Sequence, residues 1–395
     1  MTDVRVSDQE VDVSEQLFEG AQRAREYDEA PEERLVENGA EVVGAEDFEL
    51  HVESEVITDD SDFVDQQVVV DPNEYQYPVY QEPEPQVQPS VPRAELRAPE
   101  KTVGVRATWG KRGVLNRFGF RFRPGQIETA HLDEVRVIRQ ATWTRPVRIL
   151  VGNTKSSAKT PATVILGGIF ASIRGGMVAA WESAESAGTL TRRAEGFPER
   201  GVYELLRDAD SVTNAGILGG YTQPQTSHLD VIGSVSEHPL LEADDIFRVA
   251  QILDRDYRIC VMDTGNVLRS SAFGASLALA DVLVIPVVWS GVDTAFAALD
   301  LIEKLESSGN AHWQALAQNA IIVTSHDGRP ESKETMERIS SALRACTHRA
   351  IFDVPFDPHI ALGEQITLSA LSRESMWTWT TCSAEVIRTL QDMVQ

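Results

Sequence analysis

The chain has 395 residues, with 61 acidic and 36 basic side chains and a formal net charge of −25. Residues 1–100 carry 28 acidic groups and six arginines, whereas residues 101–395 carry 33 acidic and 30 basic groups, so the two parts have net charges of −22 and −3. A uniformly acidic protein is therefore excluded. Residues 1–100 are predicted to be a disordered acidic tail, because so polar a segment buries too little apolar surface to offset its ordering entropy.

Other broad classes are excluded by the cysteines and by the apolar runs. The three cysteines are odd in number and form no CxxC pair, which indicates neither a disulfide framework nor a zinc site. No apolar run is long enough to span a bilayer as a helix, so no transmembrane segment is predicted. The N-terminus lacks the basic start and the apolar run of a signal peptide. The sequence therefore predicts a cytoplasmic protein.

The charge reverses in residues 101–146, which we interpret as a lead-in segment to the following domain. Its first part, Lys101–Arg123, is a basic strip that contains seven basic residues and no acidic one, with Trp109 and three phenylalanines among them. Phosphates of DNA or of an anionic lipid surface would suit such a strip. The acidic tail of the same chain would suit it as well, and the sequence leaves these partners open.

Residues 147–395 are predicted to form one α/β domain with a doubly wound, mostly parallel sheet. Apolar runs rich in Val and Ile are typical of strands that are buried on both faces, and they lie at 147–152, 177–182, 228–234, 257–263, 281–288, 320–325 and 350–355. Amphipathic stretches predict helices at 160–174, 202–208, 242–254, 294–306, 333–345 and 384–394.

The loop after the first predicted strand is the main candidate site, because ligands bind at the carboxyl ends of strands in such folds. The candidate residues are Asn153, Thr154, Lys155, Ser156, Ser157, Ala158, Lys159, Thr160 and Pro161. A strand, a short loop, Lys-Thr and a helix form a phosphate-binding arrangement, in which Lys159 would reach the outer phosphates and Thr160 would bind Mg²⁺. An ordinary polar turn is the alternative, since Ala158 replaces the glycine of the usual motif.

Carboxylates follow two further predicted strands. Asp263 ends the strand at 257–263 and fits a Walker B carboxylate, which holds Mg²⁺ directly or through water. Its alternative role is to cap the next helix. Glu182 ends the strand at 177–182 and Glu185 lies close behind it, where a carboxylate could orient an attacking or metal-bound water. Both could equally be solvated loop charges.

These motifs occur in the order found in ParA/MinD-type ATPases, and the sequence resembles that family over residues 147–395, most closely its actinobacterial ParA-like subgroup. The resemblance rests on Asn153–Pro161, Gly175–Trp181, Gly188–Leu190, Met262–Asn266 and Val354–Pro358. It implies a P-loop NTPase fold, binding of ATP and Mg²⁺, and a homodimer when ATP is bound. It also places the adenine near 325–327 and 355–358.

The resemblance assigns a role to a signature lysine, which contacts the nucleotide of the partner subunit. Lys155 matches it if the loop is one residue short, whereas an ungapped alignment places Thr154 there. The implied catalytic set is Lys155, Lys159, Glu182, Glu185 and Asp263. The implied activity is slow ATP hydrolysis by a dimer switch that positions a plasmid, a chromosome or a secretion-related cargo through an unidentified protein partner.

Three departures from the family pattern support an alternative function. Ser156 and Ser157 stand in place of two loop glycines, Glu182 and Glu185 replace aspartates, and Thr264-Gly265-Asn266 replaces Thr-Pro-Pro. A longer acidic side chain displaces the carboxylate, and a displacement of about 1 Å can reduce a rate by ~10²-fold. The alternative is a ParA-like scaffold or binding protein that has a degenerate phosphate loop and does not hydrolyse ATP.

Overall fold

The computed structural model describes residues 106–154 and 156–394. The predicted acidic tail at 1–100 lies outside these residues, as do positions 101–105, Lys155 and Gln395. Within the described part of the chain, no helix is both long and apolar enough to cross a membrane.

Eight strands form one sheet in the order β3-β4-β2-β5-β1-β6-β7-β8. Their bounds are β1 Val147–Val151, β2 Val178–Ser183, β3 Gln223–Pro224, β4 Asp230–Ile232, β5 Ile259–Thr264, β6 Val282–Val288, β7 Ile321–Ser325 and β8 Ala350–Val354. All pairs of neighbouring strands are parallel except β3 and β4. This confirms the predicted fold class, and each predicted apolar run overlaps one of the parallel strands, with β2 and β5 extending one residue beyond their runs.

Helices connect and cover the strands. The helices of the described residues are α1 Gly110–Arg117, α2 Gln126–Gln140, α3 Lys159–Arg174, α4 Leu190–Arg193, α5 Val202–Arg207, α6 Ala215–Leu218, α7 Ala243–Leu253, α8 Ser271–Leu279, α9 Val292–Ser307, α10 Ala311–Gln318, α11 Lys333–Ala345, α12 Pro358–Ala361 and α13 Arg373–Met393. The last helix is much longer than the predicted 384–394, because Ser372 caps it by accepting a hydrogen bond from the Ser375 amide at 3.2 Å.

The central strands are apolar throughout because they separate two cores. Successive side chains of a strand point to opposite faces, so Leu150 packs in one core and its neighbour Ile149 in the other. The first core includes side chains of α7, α8 and α9, and the second includes those of α3 and α13. This two-sided burial is what produces continuous Val/Ile runs instead of alternating polar and apolar residues.

The lead-in segment packs against the α/β domain through α2. Arg174 of α3 donates hydrogen bonds to the carbonyls of Ile138 and Ala141, at 2.7 and 2.9 Å. Ahead of α1, the ring of Trp109 lies 5.5 Å from that of Trp377 on α13, and the Arg373 guanidinium lies 4.2 Å from the Trp109 ring. The helices of the lead-in segment are therefore joined to the second core of the domain.

Candidate functional site

The carboxyl ends of β2, β5 and β1 lie side by side and bring the candidate residues together. In the sheet register, Asp263 is paired with Val151 on one side and with Glu182 on the other. The loop after Val151 therefore begins beside Asp263. The sheet order alone places the phosphate-loop candidate next to two of the three predicted carboxylates.

Asn153 anchors the start of the loop. Its buried side-chain amide donates hydrogen bonds to the Pro286 carbonyl at 2.7 Å and to the Thr294 carbonyl at 3.0 Å. Its side-chain oxygen accepts a bond of 2.7 Å from the Thr154 amide, and the Ser157 hydroxyl donates to the Thr154 carbonyl at 2.8 Å. These contacts fix the backbone of the loop to β6 and to the beginning of α9.

Two residues of the loop adopt left-handed backbone conformations without being glycine. The φ angle is 63° at Ser156 and 68° at Ala158. Glycine usually occupies such positions, because a Cβ atom disfavours positive φ by about 1–2 kcal/mol. Ser156 and Ala158 therefore adopt the backbone conformation of this turn at an energetic cost that glycine would not have.

Lys159 begins α3 and folds back over this loop. Its ammonium group donates to the Thr154 carbonyl and to the Asn266 side-chain oxygen, both at 2.9 Å. Burial lowers the pKa of Lys159 to about 8, and the carboxylates of Asp263 and Glu185 oppose that shift. A buried ammonium group beside free helix-terminal amides is suited to bind phosphate oxygens.

Thr160 and Asp263 form the second contact of the site. The Thr160 hydroxyl donates to the Asp263 carboxylate at 2.7 Å. Burial, together with the nearby Glu182 carboxylate, raises the pKa of Asp263 to about 7, and the Thr160 hydrogen bond and Lys159 oppose that shift. Both groups offer oxygen ligands, which Mg²⁺ prefers, and phosphates and waters usually complete its octahedron. Among the described residues, no cluster of three or more His, Cys, Asp or Glu side chains could hold a metal by itself.

The two glutamates have different surroundings. The buried carboxylate of Glu182 accepts hydrogen bonds from the amides of Gly188 and Leu190, at 2.8 and 3.3 Å, and also from the Ser234 hydroxyl. Glu182 thus holds the turn that leads into α4. Glu185 is only partly buried, and its side chain lies against the backbone of Gly265. Of the two, Glu185 has the carboxylate that is less engaged by the protein.

The unusual Thr264-Gly265-Asn266 segment contacts both Glu185 and Lys159. A Cβ atom at Gly265 would lie 2.0 Å from a carboxylate oxygen of Glu185, so a larger residue here would displace the Glu185 carboxylate from its present position. Asn266 supplies the side-chain acceptor for Lys159. Sequence reasoning missed both contacts, because they join residues that are far apart in the chain.

A cavity with two lobes surrounds the loop. The first lobe, of about 340 Å³, is lined by the Lys159–Thr160 region, Glu182 and Asp263. The second, of about 620 Å³, is lined by Ser325, His326, Asp327 and the Pro355 turn, where the adenine was predicted. The lining residues that both lobes share are Ser156, Ala158, Pro161, Thr189 and Arg193. The loop therefore lies where the two lobes meet.

Arg193 is a site residue that the sequence did not single out. It lies at the end of α4, is 8% exposed, and donates one hydrogen bond to the Ile360 carbonyl at 2.9 Å. Burial lowers its pKa. Among the residues that the structure describes, no carboxylate forms a salt bridge with it. A buried guanidinium with one carbonyl partner is suited to bind an anion in the cavity.

No protein-family model matches the sequence. No curated protein matches it either.

Solved structures resemble the chain at low identity. A ParA family ATPase from Chlorobium tepidum TLS is 13% identical, with a TM-score of 0.42 over 63% of this chain and 96% of that one. The Pyrococcus furiosus cell division ATPase MinD is 15% identical, with a TM-score of 0.42 over 61% and 98%. A putative plasmid partition protein from Borrelia burgdorferi B31, bound to AMPPNP, is 13% identical, with a TM-score of 0.45 over 62% and 99%.

Proposed function

We propose that the chain is a ParA/MinD-like ATP-binding protein and a slow, Mg²⁺-dependent ATPase that acts as an ATP-driven dimer switch. The observation that supports this most is that Lys159, Thr160 and Asp263 line the same lobe of the cavity, where Thr160 donates a hydrogen bond to Asp263. A phosphate chain fits the lobe with the lysine and the helix N-terminus, and a base fits the other lobe.

The residues of the site would divide the work of binding and hydrolysis. Lys159 and the first amides of α3 would bind the phosphate oxygens in place of the protein acceptors that Lys159 now contacts. Thr160 and Asp263 would hold Mg²⁺, and the bound ion would supply positive charge to neutralise the outer phosphates. Glu185 would orient the attacking water, since Glu182 is held by three protein donors.

The dimer and its partners belong to the same proposal. In the ATP-bound homodimer, Lys155 would reach across to the phosphates of the partner subunit. A protein partner and a plasmid, chromosome or secretion-related cargo would respond to the dimer in the cytoplasm, and DNA or an anionic surface would bind the basic strip. These roles are supported by the resemblance of the sequence.

The alternative is a ParA-like scaffold that binds ATP without hydrolysing it. Two observations favour this alternative. One predicted catalytic carboxylate, Glu182, is fully engaged in holding a turn, and the phosphate loop is strained at Ser156 and Ala158. A site that has its phosphate ligands but lacks a well-placed water ligand binds nucleotide and turns it over poorly.

Binding can be tested by titrating the full chain with a fluorescent ATP analogue in Mg²⁺. We expect Lys159→Ala to weaken binding by at least tenfold, because a hydrogen bond to a charged group contributes about 1.5–3 kcal/mol. Lys304→Ala is the matched control, since Lys304 is exposed on α9 and distant in sequence from the loop. Absence of binding by the wild type, or equal binding by Lys159→Ala, would refute the nucleotide site.

Hydrolysis is tested separately by measuring phosphate release. The switch predicts release by the wild type that Glu185→Gln reduces by about tenfold or more, consistent with the loss of a general base. The scaffold predicts tight binding with no release above the rate of the Lys159→Ala variant. Analytical ultracentrifugation with and without ATP then tests dimerisation.

A further inference from the structure

The segment Arg106–Ile127 combines positive charge with exposed apolar side chains. Its six basic residues are all exposed and no acidic residue lies among them: Arg106, Lys111, Arg112, Arg117, Arg121 and Arg123. Six large apolar side chains are exposed as well: Val114, Leu115, Phe118, Phe120, Phe122 and Ile127. The described residues expose 16 such side chains in total. More than a third of these lie within the 14 residues Val114–Ile127.

This surface is held in one conformation. The Asn116 side chain donates to the carbonyls of Ala107 and Phe122, at 2.8 and 2.9 Å, and accepts a bond from the Phe122 amide at 2.7 Å. The Ala107 amide donates to the Phe122 carbonyl at 2.9 Å. The phenylalanines are therefore exposed on a closed, hydrogen-bonded loop.

The base of this loop is tied to the following helix. The Glu128 carboxylate accepts bonds from the Thr108 hydroxyl at 2.8 Å and from the Trp109 amide at 3.1 Å. Trp109 itself packs on α13 through Trp377. The structure thus presents a fixed basic and aromatic surface, which loses little conformational entropy when it binds.

We propose that the Arg106–Ile127 surface binds an anionic lipid bilayer, with the three phenylalanines inserted at the headgroup boundary. Apolar side chains beside arginines and lysines are the composition of segments that lie in a membrane interface. The basic side chains complement the charge of anionic headgroups, and each contributes about a fivefold gain in affinity near such a surface. The proposal does not depend on nucleotide binding.

Lipid accounts for the surface better than nucleic acid does. Duplex DNA is bound through phosphate neutralisation, which makes use of the basic residues and leaves the apolar ones in water. Single strands stack on aromatic rings, and that leaves Val114, Leu115 and Ile127 without a role. A bilayer interface has both an anionic layer and an apolar layer, so it offers a partner to both the basic and the apolar side chains.

The experiment is co-sedimentation of the full chain with vesicles of phosphatidylcholine that contain 30% phosphatidylglycerol, against vesicles of phosphatidylcholine alone. We expect binding to the anionic vesicles only. The triple variant Arg117→Gln, Arg121→Gln, Arg123→Gln should lose about 100-fold in affinity. Phe118→Ser, Phe120→Ser, Phe122→Ser should lose at least tenfold.

Matched single variants distinguish binding by this surface from non-specific adsorption of any exposed apolar side chain. Phe118 is 78% exposed and Phe296, on α9, is 62% exposed. Phe118→Ser should weaken vesicle binding, whereas Phe296→Ser and Lys159→Ala should bind as the wild type does. Circular dichroism of each variant checks that it is folded.

Three results would overturn the proposal. The first is no binding of the full chain to anionic vesicles, which is also the result expected if the acidic residues 1–100 occupy the strip. The second is unchanged binding by the folded triple phenylalanine variant. The third is binding to a 30-base-pair DNA duplex, with a steep salt dependence, that the arginine variant loses and the phenylalanine variant keeps, because this assigns the strip to nucleic acid.

Discussion

Replacement of Ala158 by glycine should stabilise the ligand-free protein. Ala158 has φ 68° and ψ 30°, a left-handed conformation that costs an L-residue about 1–2 kcal/mol. Glycine removes this cost. Its greater conformational freedom in the unfolded chain, however, lowers the free energy of unfolding by about 0.5–1 kcal/mol. The difference predicts that Ala158→Gly raises the free energy of unfolding by about 0.5–1 kcal/mol. Ser156→Gly, at φ 63°, should act in the same direction.

The assay is urea denaturation of the two variants and the wild type without nucleotide, followed by tryptophan fluorescence and circular dichroism. Ala130→Gly is the matched control, because Ala130 is an exposed residue in the interior of α2. It should lower the free energy of unfolding by up to about 1 kcal/mol. If Ala158→Gly destabilises the protein as much as Ala130→Gly does, the loop is not strained and the reasoning is wrong.

Two further predictions concern the carboxylate and the cation that line the cavity. Glu182→Ala should lower the free energy of unfolding by about 3 kcal/mol, because two backbone amides and the Ser234 hydroxyl lose their acceptor. Thermal denaturation checks this, with Glu185→Ala as the control. A change below 1 kcal/mol would contradict the structural role of Glu182. Arg193→Met should weaken binding of the fluorescent ATP analogue about tenfold, because it removes a buried cation that lines both lobes. Arg192→Met is the control and should have less effect, because Arg192 lines only the second lobe. Equal affinities for the wild type and folded Arg193→Met would exclude contact with the phosphates.

The sequence was sufficient to predict the parallel strands of the sheet and the position of the candidate phosphate loop. Strands buried on both faces of a parallel sheet must be apolar throughout, so Val147–Val151, Ile259–Thr264 and Val282–Val288 are visible as continuous runs. In such sheets the strand ends lie along one edge, which is why Lys159, Thr160 and Asp263 could be expected to meet. The β3 strand was not predicted, because two residues at a sheet edge carry no periodicity.

The roles of individual side chains depended on contacts that the sequence does not encode locally. Glu182 and Glu185 look alike in the sequence, yet Glu182 is held by the turn before α4 and by Ser234, 52 residues further on. Arg193 could be recognised only once α12 and the loop were seen to enclose it.

The sequence by itself identified the candidate residues for phosphate and magnesium binding, because their chemistry and their positions after buried strands are local properties. Only the tertiary structure decided how the altered loop is held in place. Lys159 finds its acceptor in Asn266, 107 residues away, and Gly265 makes room for the longer Glu185. These contacts arise from packing between segments that are distant in the chain. The effect of a substitution in one segment therefore depends on the residue that it contacts in the other.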